Sequence, residues 1–348
     1  MLTKNSYQYL HCNIRTVALI FFLLVVSIKG QSINGGRNAV IARNGSTVAV
    51  FGSNGLRVRL SDGTVITQDL PNDVASFDDV TRDGKNIFAL STTSRVICSY
   101  RQRGNGSLKR KNCVGSGNIA TSPFCGISAK GGNLIVSGGT GGFSYFTYKN
   151  SGKIRSNPRI LNEQITGVIG FPDVTMISSN LIAFSTDFST NVQSQRFGVL
   201  IASIGQDRQV TMVRNFRING SAFDNALTPA NFALRNTVLE NDSGTFLYTA
   251  HGVMTVADPN QDGFAQVISV DLDGFQAVTV TVNNRGDRVY FGGVLGNGSV
   301  ILEFNVQQPM APILVAILSA QGRITSVAAS NKVVTYVRNE NSSQIRTV

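Results

Sequence analysis

Apolar and polar residues alternate in short runs along most of the chain, and the runs return on a fixed spacing. Phe77–Val80 ("FDDV"), Phe124–Ile127 ("FCGI") and Phe171–Val174 ("FPDV") each set an aromatic residue three positions before an aliphatic one, 47 residues apart. Looser copies begin at Arg37 ("RNAV"), Phe232 ("FALR"), Phe275 ("FQAV") and Ile324 ("ITSV"). The mean step between the seven starts is about 48 residues, within the range of one propeller blade.

Each start is followed by the same order of elements. An extended run meets a tight polar turn and then a second apolar strand, as in "VTRDGKNIFAL", "ISAKGGNLIVSG" and "VTMISSNLIAFS". Alternation and β-branched residues predict strands, and Gly, Asn and Asp mark the turns between them. Third and fourth strands follow, and no amphipathic helix is evident. Seven units of this kind predict an all-β, seven-bladed β-propeller of four-stranded antiparallel blades, one domain spanning residues 31–348. A β-sandwich needs no fixed period, and a solenoid repeat is shorter. Only 21 residues follow Val327, room for about three strands. The fourth strand of the last blade is therefore expected from residues 31–36, joining the two ends of the chain.

The N-terminus sets the compartment. Lys4 and Arg15 precede the 12-residue apolar run Val17–Ile28, and small polar residues follow it. That run is shorter than the roughly 20 residues of a membrane span. Residues 1–30 therefore read as a secretory signal peptide, cleaved after Ser27 or Gly30, with a signal anchor as the alternative. Its removal lowers the net charge from +11 to +8 and takes Cys12 with it, leaving Cys98, Cys113 and Cys125. An odd count in an oxidising compartment implies one disulfide and one leftover thiol, or an intermolecular bond. A two-residue turn at Asn105-Gly106 sets Cys98 opposite Cys113 as a hydrogen-bonded pair, which has the wider Cα separation. Cys113–Cys125 is the other pairing considered. The excess positive charge fits anionic glycans, cell walls or membrane surfaces, or a plain solvated surface, which is favoured because no basic run exceeds "LKRKN". Nucleic acid is not expected as a partner, since the basic residues are scattered and the chain reads as secreted.

"DDVTRDGKNIFALSTTSRVICSYRQRGNGSL" resembles a blade of the YVTN/lactonase-type seven-bladed propellers, in which an extended strand, a D-G turn, an aliphatic-aromatic strand and a hairpin recur. "ENDSGTFLYTA" and "NNRGDRVYFGGVLGNGSVILEFNV" are similar. The resemblance implies the fold. Lactonase-type relatives carry acidic and polar residues around one pore mouth, but none of their catalytic motifs is matched here.

Within a propeller the a–b and c–d turns share one face, and the b–c and d–a connections share the other. The a–b turns are short here. The longer stretches "DLPNDVASFDDV", "CVGSGNIATSPFCGI", "TDFSTNVQSQRF", "INGSAFDNALTPANF" and "HGVMTVADPNQDGFAQ" are assigned to the opposite face, the expected binding surface. Asp79 and Asp173 share one slot of the repeat at the channel mouth, with Asp78 beside Asp79. The slot holds Gly126, Leu234, Ala277 and Ser326 elsewhere. These aspartates are candidates for cation binding or catalysis, or for accepting backbone N–H groups of the neighbouring blade.

"DPNQDG" offers Asp258, Asn260 and Asp262 at the spacing of a calcium loop, which makes calcium the one cofactor candidate. "RGD" at Arg285–Asp287 reads as a plain turn. N-x-S/T sequons stand at Asn44, Asn105, Asn219, Asn241, Asn297 and Asn341. His251 is the only histidine outside the leader, and a turn or packing role is read for it ahead of a catalytic one. No G-x-S-x-G, P-loop, dinucleotide fingerprint or C-x-x-C occurs, and Trp is absent. These features predict a secreted, monomeric binding or protein-interaction module with an extracellular protein or glycan ligand and no membrane span after cleavage. The alternative is a lactonase-like hydrolase using carboxylates, with or without calcium, at the channel mouth.

Overall fold

A strand sends successive side chains to opposite faces, so a strand that is apolar throughout needs an apolar neighbour on each side. Asn86–Ser91 is such a strand, buried at all six positions. Ile87 and Ala89 pack with Leu56, Val58 and Phe77 on one side. Phe88 and Leu90 pack with Leu134, Val136 and Phe146 on the other. The structure, a computed structural model, describes residues 38–347 apart from 43–45, 51–54, 61, 117–124, 139–141, 156–158, 162–167, 189–195, 206–208, 221–234, 263–264, 332–333 and 339–345.

Among the described residues the chain forms seven antiparallel sheets and no helix. Strands pair in chain order within each sheet, so every hairpin is local. The first strands are Asn38–Ile41, Asp79–Asp83, Cys125–Lys130, Val168–Met176, Arg235–Asn241, Phe275–Val282 and Ile324–Ala329. Each lies within three residues of a repeat start read from the sequence. Six sheets have four strands, and the seventh has three: Ile324–Ala329, Val334–Arg338 and Arg346–Thr347. Residues 31–36, expected to complete the seventh sheet, lie outside the described residues.

The core is divided among the spaces between sheets. Phe143, Phe171 and Phe184 fill the space between the third and fourth, with ring centroids 4.7–6.2 Å apart. Tyr248, Phe291 and Phe304 do so between the fifth and sixth, and Tyr290, Ile324 and Tyr336 between the sixth and seventh. Each fully buried Phe contributes roughly 2–3 kcal/mol. Ala39 and Ile41 of the first sheet pack with Ala328 and Val337 of the seventh. No sheet has a private core; each apolar layer belongs to two.

Cys98 and Cys113 form a disulfide, as expected, but through a different register. The hairpin turns through three residues, Gly104–Gly106: Arg103 N–H donates to Ser107 O at 2.9 Å, and Gly106 has φ 83°. This shifts the pairing by one, so that Tyr100 faces Arg110. Lys111 is then left over as a bulge, and Ser99 returns to face Asn112. The hydrogen bond from Ser116 N–H to Arg95 O makes Cys98/Cys113, three residues on, a non-hydrogen-bonded pair. Their Cα atoms are 4.1 Å apart, the closer of the two antiparallel spacings rather than the wider one expected.

Among the described residues the first strand of each sheet has no strand partner on its inner edge, apart from an isolated bridge between Ala277 and Gly252, and the N–H groups there need acceptors. Side chains of the preceding sheet supply them. Ile127 N–H donates to Asp79 Oδ2 at 3.0 Å, Met176 N–H to Ser128 Oγ at 2.9 Å and Val327 N–H to Thr279 Oγ1 at 3.3 Å. All three contacts span 48 residues, which is the period of the sequence. Ala39 N–H donates to Ser326 Oγ at 3.2 Å by the same rule, and Ser326 Oγ–H donates to Asn38 Oδ1 at 2.6 Å. Ser326→Ala is therefore expected to lower unfolding free energy by about 1–2 kcal/mol in chemical denaturation. A value indistinguishable from zero would contradict the contact between first and last sheets.

Candidate functional site

Aligning the sheets by these contacts makes seven residues equivalent, one from each sheet: Asn38, Asp79, Gly126, Asp173, Arg235, Thr279 and Ser326. Two positions differ from the sequence reading. In the fifth sheet the slot belongs to Arg235 rather than Leu234, since Asn236 N–H is the group that donates to Asp173 Oδ2, at 3.2 Å. In the sixth it belongs to Thr279 rather than Ala277, because a bulge between them shifts the register. In the first sheet Asn38 occupies it, donating from Nδ2 to Val80 O at 3.3 Å and to Asp79.

Arg235 is the member the sequence concealed, and it organises the charge. Its guanidinium reaches Asp79 with two hydrogen bonds of 3.1 Å and Asp173 with one of 3.2 Å. Asp79 and Asp173 are 1% and 2% exposed. Asp79 also accepts from Val80 N–H at 2.8 Å and from Ile127 N–H. One cation thus serves two buried carboxylates. Burial pushes the Asp173 carboxyl up to about 7, with Asp79 adding to the shift and Arg235 opposing it. Gly126 makes room for this carboxylate: a Cβ there would lie 2.4 Å from Asp173 Oδ1 and 2.7 Å from Val174 N. Beside them lies a cavity of about 190 Å³, whose lining includes Asp173, Arg235, Thr81, Ser128, Thr175 and Thr237. Of the two roles expected for Asp79 and Asp173, accepting the neighbouring sheet's N–H groups is the one seen in the geometry. Asp78 turns away and caps the Thr92 N–H and Oγ–H at 2.8 and 2.7 Å.

His251 does not begin a long loop. It follows the strand Gly244–Ala250 and precedes the strand Met254–Ala257, in a tight turn where it is fully buried. "HGVMTVADPNQDGFAQ" is thus two turns and a strand rather than one connection. Nε2 of His251 lies 3.0 Å from Ser185 Oγ and 3.1 Å from Asn236 Oδ1, and Asn236 Nδ2 donates to Ser185 at 2.9 Å. Burial depresses its pKa to about 3. Its Nδ1 has no hydrogen-bond partner among the described residues, whereas a catalytic triad needs a carboxylate there.

Asp258 and Asp262 lie in the turn after Met254–Ala257, on the face opposite the one assigned from the sequence. Asp258 Oδ1 accepts Asn260 N–H at 2.8 Å. Asp262 pairs with Arg214 at 2.9 Å, and the same guanidinium donates to Pro259 O at 3.0 Å. A guanidinium stands against the oxygens a cation would take, and this donor set does not fit calcium as placed. Among the described residues no three His, Cys, Asp or Glu side chains gather as a metal site. In the "RGD" turn Asp287 accepts from Asn283 Nδ2 at 2.6 Å, so its carboxylate is engaged in the turn itself.

No family model matches the sequence, and no curated protein matches it. Solved structures do match. The β-propeller domain of Cps50 (Swd1) from Myceliophteria thermophila superposes with TM-score 0.64 at 8% identity, over 92% of this chain and 99% of that one. The fold is a β-propeller. Hydrazine synthase of Kuenenia stuttgartiensis gives 0.62 at 12% identity, over 93% of this chain and 99% of that one. Virginiamycin B lyase of Staphylococcus aureus gives 0.58 at 14%, over 92% and 99%. The resemblance to lactonase-like propellers holds at the level of fold, which hosts many unrelated functions.

Two outcomes follow from the axial cluster. The folded pKa of Asp173 lies above its ordinary 3.8, so its contribution to stability is full below about pH 4 and is lost as pH rises towards 7. Asp173→Asn keeps an acceptor for Asn236 and removes the titration. Its melting temperature is expected to gain on the wild type between pH 4 and 7, and a constant difference would contradict the assignment. Comparison at each pH cancels His251, whose depressed pKa acts oppositely, costing stability as pH falls below about 6.5. Gly126→Ala should lose about 2 kcal/mol or more in denaturant titration, while Gly104→Ala, with no atom within 4 Å, stays near zero.

Proposed function

We propose that this protein is a secreted, seven-bladed propeller whose first and last sheets close on each other, and that it acts as an extracellular binding module. Closure is supported by the Ala39–Ile41–Ala328–Val337 cluster and by the Ser326 hydrogen bonds. The observation that carries a binding role is the state of the axial carboxylates. Arg235 and backbone N–H groups occupy the oxygens of Asp79 and Asp173 that a hydrolase would present to substrate or metal. The Ser185–His251 pair is sealed from solvent.

The working surface is the face bearing the connections between second and third strands and between successive sheets. Residues 117–124, 189–195 and 221–234, assigned to it from the sequence, lie outside the described residues. Asn105, Asn219 and Asn297 stand exposed on turns, positions open to glycosylation in a secretory pathway; Asn44 and Asn341 lie outside the described residues. The hydrolase reading keeps one argument, the raised Asp173 carboxyl beside the axial cavity.

The experiment is expression in a secretory host with residues 1–30 intact. Protein should reach the medium with an N-terminus at residue 28 or 31. Metal analysis should give no stoichiometric metal, and a lactone and ester screen no turnover. Turnover abolished by Asp173→Asn would favour the hydrolase, and retention in the membrane fraction would count against secretion.

A further inference from the structure

Between Asp83 and Glu163 the chain carries twelve Lys and Arg and no acidic residue. These residues make up the greater part of the second and third sheets. The whole chain has a net charge of +11, so this stretch exceeds it and everything else sums to −1. The net positive charge is therefore concentrated in one sector of the molecule, although basic residues are found throughout the sequence.

Contacts between the two sheets concentrate it further. The turn around Asn150 lies against the outer strand Leu108–Gly115. Arg101 donates to Asn150 O at 2.8 Å, and Asn112 exchanges hydrogen bonds with Ile154 at 2.9 and 3.0 Å. A Cβ on Gly152 would lie 3.7 Å from Lys111 Cγ. Arg101 and Lys111, with Lys109 opposite Arg101 in the strand pairing, thereby stand beside the turn that carries Lys149, Lys153 and Arg155. Lys109, Lys149, Lys153 and Arg155 are exposed. None of the six is ion-paired with a described residue. By contrast Lys130, at the inner end of the same sector, pairs with Glu240. Like charges packed this closely repel one another, and a partner that supplies anions relieves the repulsion.

We infer that this basic rim binds an acidic polysaccharide, a flexible chain bearing carboxylate or sulfate groups at short intervals. Two absences on the patch separate this partner from other polyanions. The large exposed apolar side chains of the described residues all lie outside 84–162, so nothing is available to insert into a lipid surface. The nearby rings of Tyr100 and Tyr148 are buried, which leaves no platform on which unpaired bases could stack. What remains is a group of ammonium and guanidinium side chains, suited to sulfate and carboxylate oxygens.

The test measures binding of the secreted protein to a size-defined heparin oligosaccharide and to polygalacturonate, which separate sulfate from carboxylate recognition. Lys109→Gln/Lys153→Gln is compared with Arg285→Gln/Arg323→Gln, which removes the same charge elsewhere. The rim variant should weaken binding about fivefold or more, the control less than twofold, with both melting like the wild type. Wild-type binding should weaken as salt rises, since screening shortens the reach of these charges to about 8 Å at physiological ionic strength. Equal losses in both variants, or no binding of either polysaccharide, overturns the site. Tighter, rim-dependent binding of a single-stranded oligonucleotide or a phosphatidylserine vesicle overturns the choice of partner.

Discussion

The edge of a strand that faces an axis cannot pair with another strand, and its N–H groups must still be satisfied. In this protein a side chain from the neighbouring sheet reaches across and accepts the bond. The donors are the amides of Ile127, Met176, Asn236, Val327 and Ala39, and the acceptors are Asp79, Ser128, Asp173, Thr279 and Ser326. Apolar layers between sheets supply most of the burial energy, but they are tolerant of sliding. The polar contacts are directional, and they set which residue of one sheet stands beside which residue of the next.

That constraint also explains the chemistry at the centre. A hydroxyl meets the requirement without charge. Where the acceptor is a carboxylate the charge must be neutralised, and Arg235 does so for Asp79 and Asp173 together. The glycine at position 126 follows from the same geometry, because Asp173 fills the space its side chain would need. Ser128, two residues further along the same strand, takes over as acceptor for the fourth sheet. The axial residues are thus explained as structural partners first, and the raised pKa of Asp173 is a consequence of burial.

Much of the fold is legible in the sequence because the contact that repeats in space also repeats along the chain. A spacing of 48 residues between donor and acceptor forces the same spacing on the pattern, so the sheets could be located from "FDDV", "FCGI" and "FPDV". The site is less legible. Arg235 occupies an aspartate-type slot with the opposite charge, in one of the looser copies of the box. Thr279 is displaced by a bulge that hydropathy does not reveal. Cys98 and Cys113 pair as foreseen only because the three-residue turn and the bulge at Lys111 shift the register by compensating amounts. The basic rim was half legible: the acid-free stretch from 84 to 162 stands in the sequence, but the approach of Arg101 and Lys111 to the turn around Asn150 comes only when two sheets pack side by side.

Native-state hydrogen exchange tests the axial contacts most directly. The amides of Ala39, Ile127, Met176, Asn236 and Val327 lie on strand edges without strand partners, yet they should exchange as slowly as amides in the second strands of their sheets. Exchange of these five at the rate of exposed turns, with the second strands still protected, would show that side-chain acceptance across the sheets does not hold the molecule together.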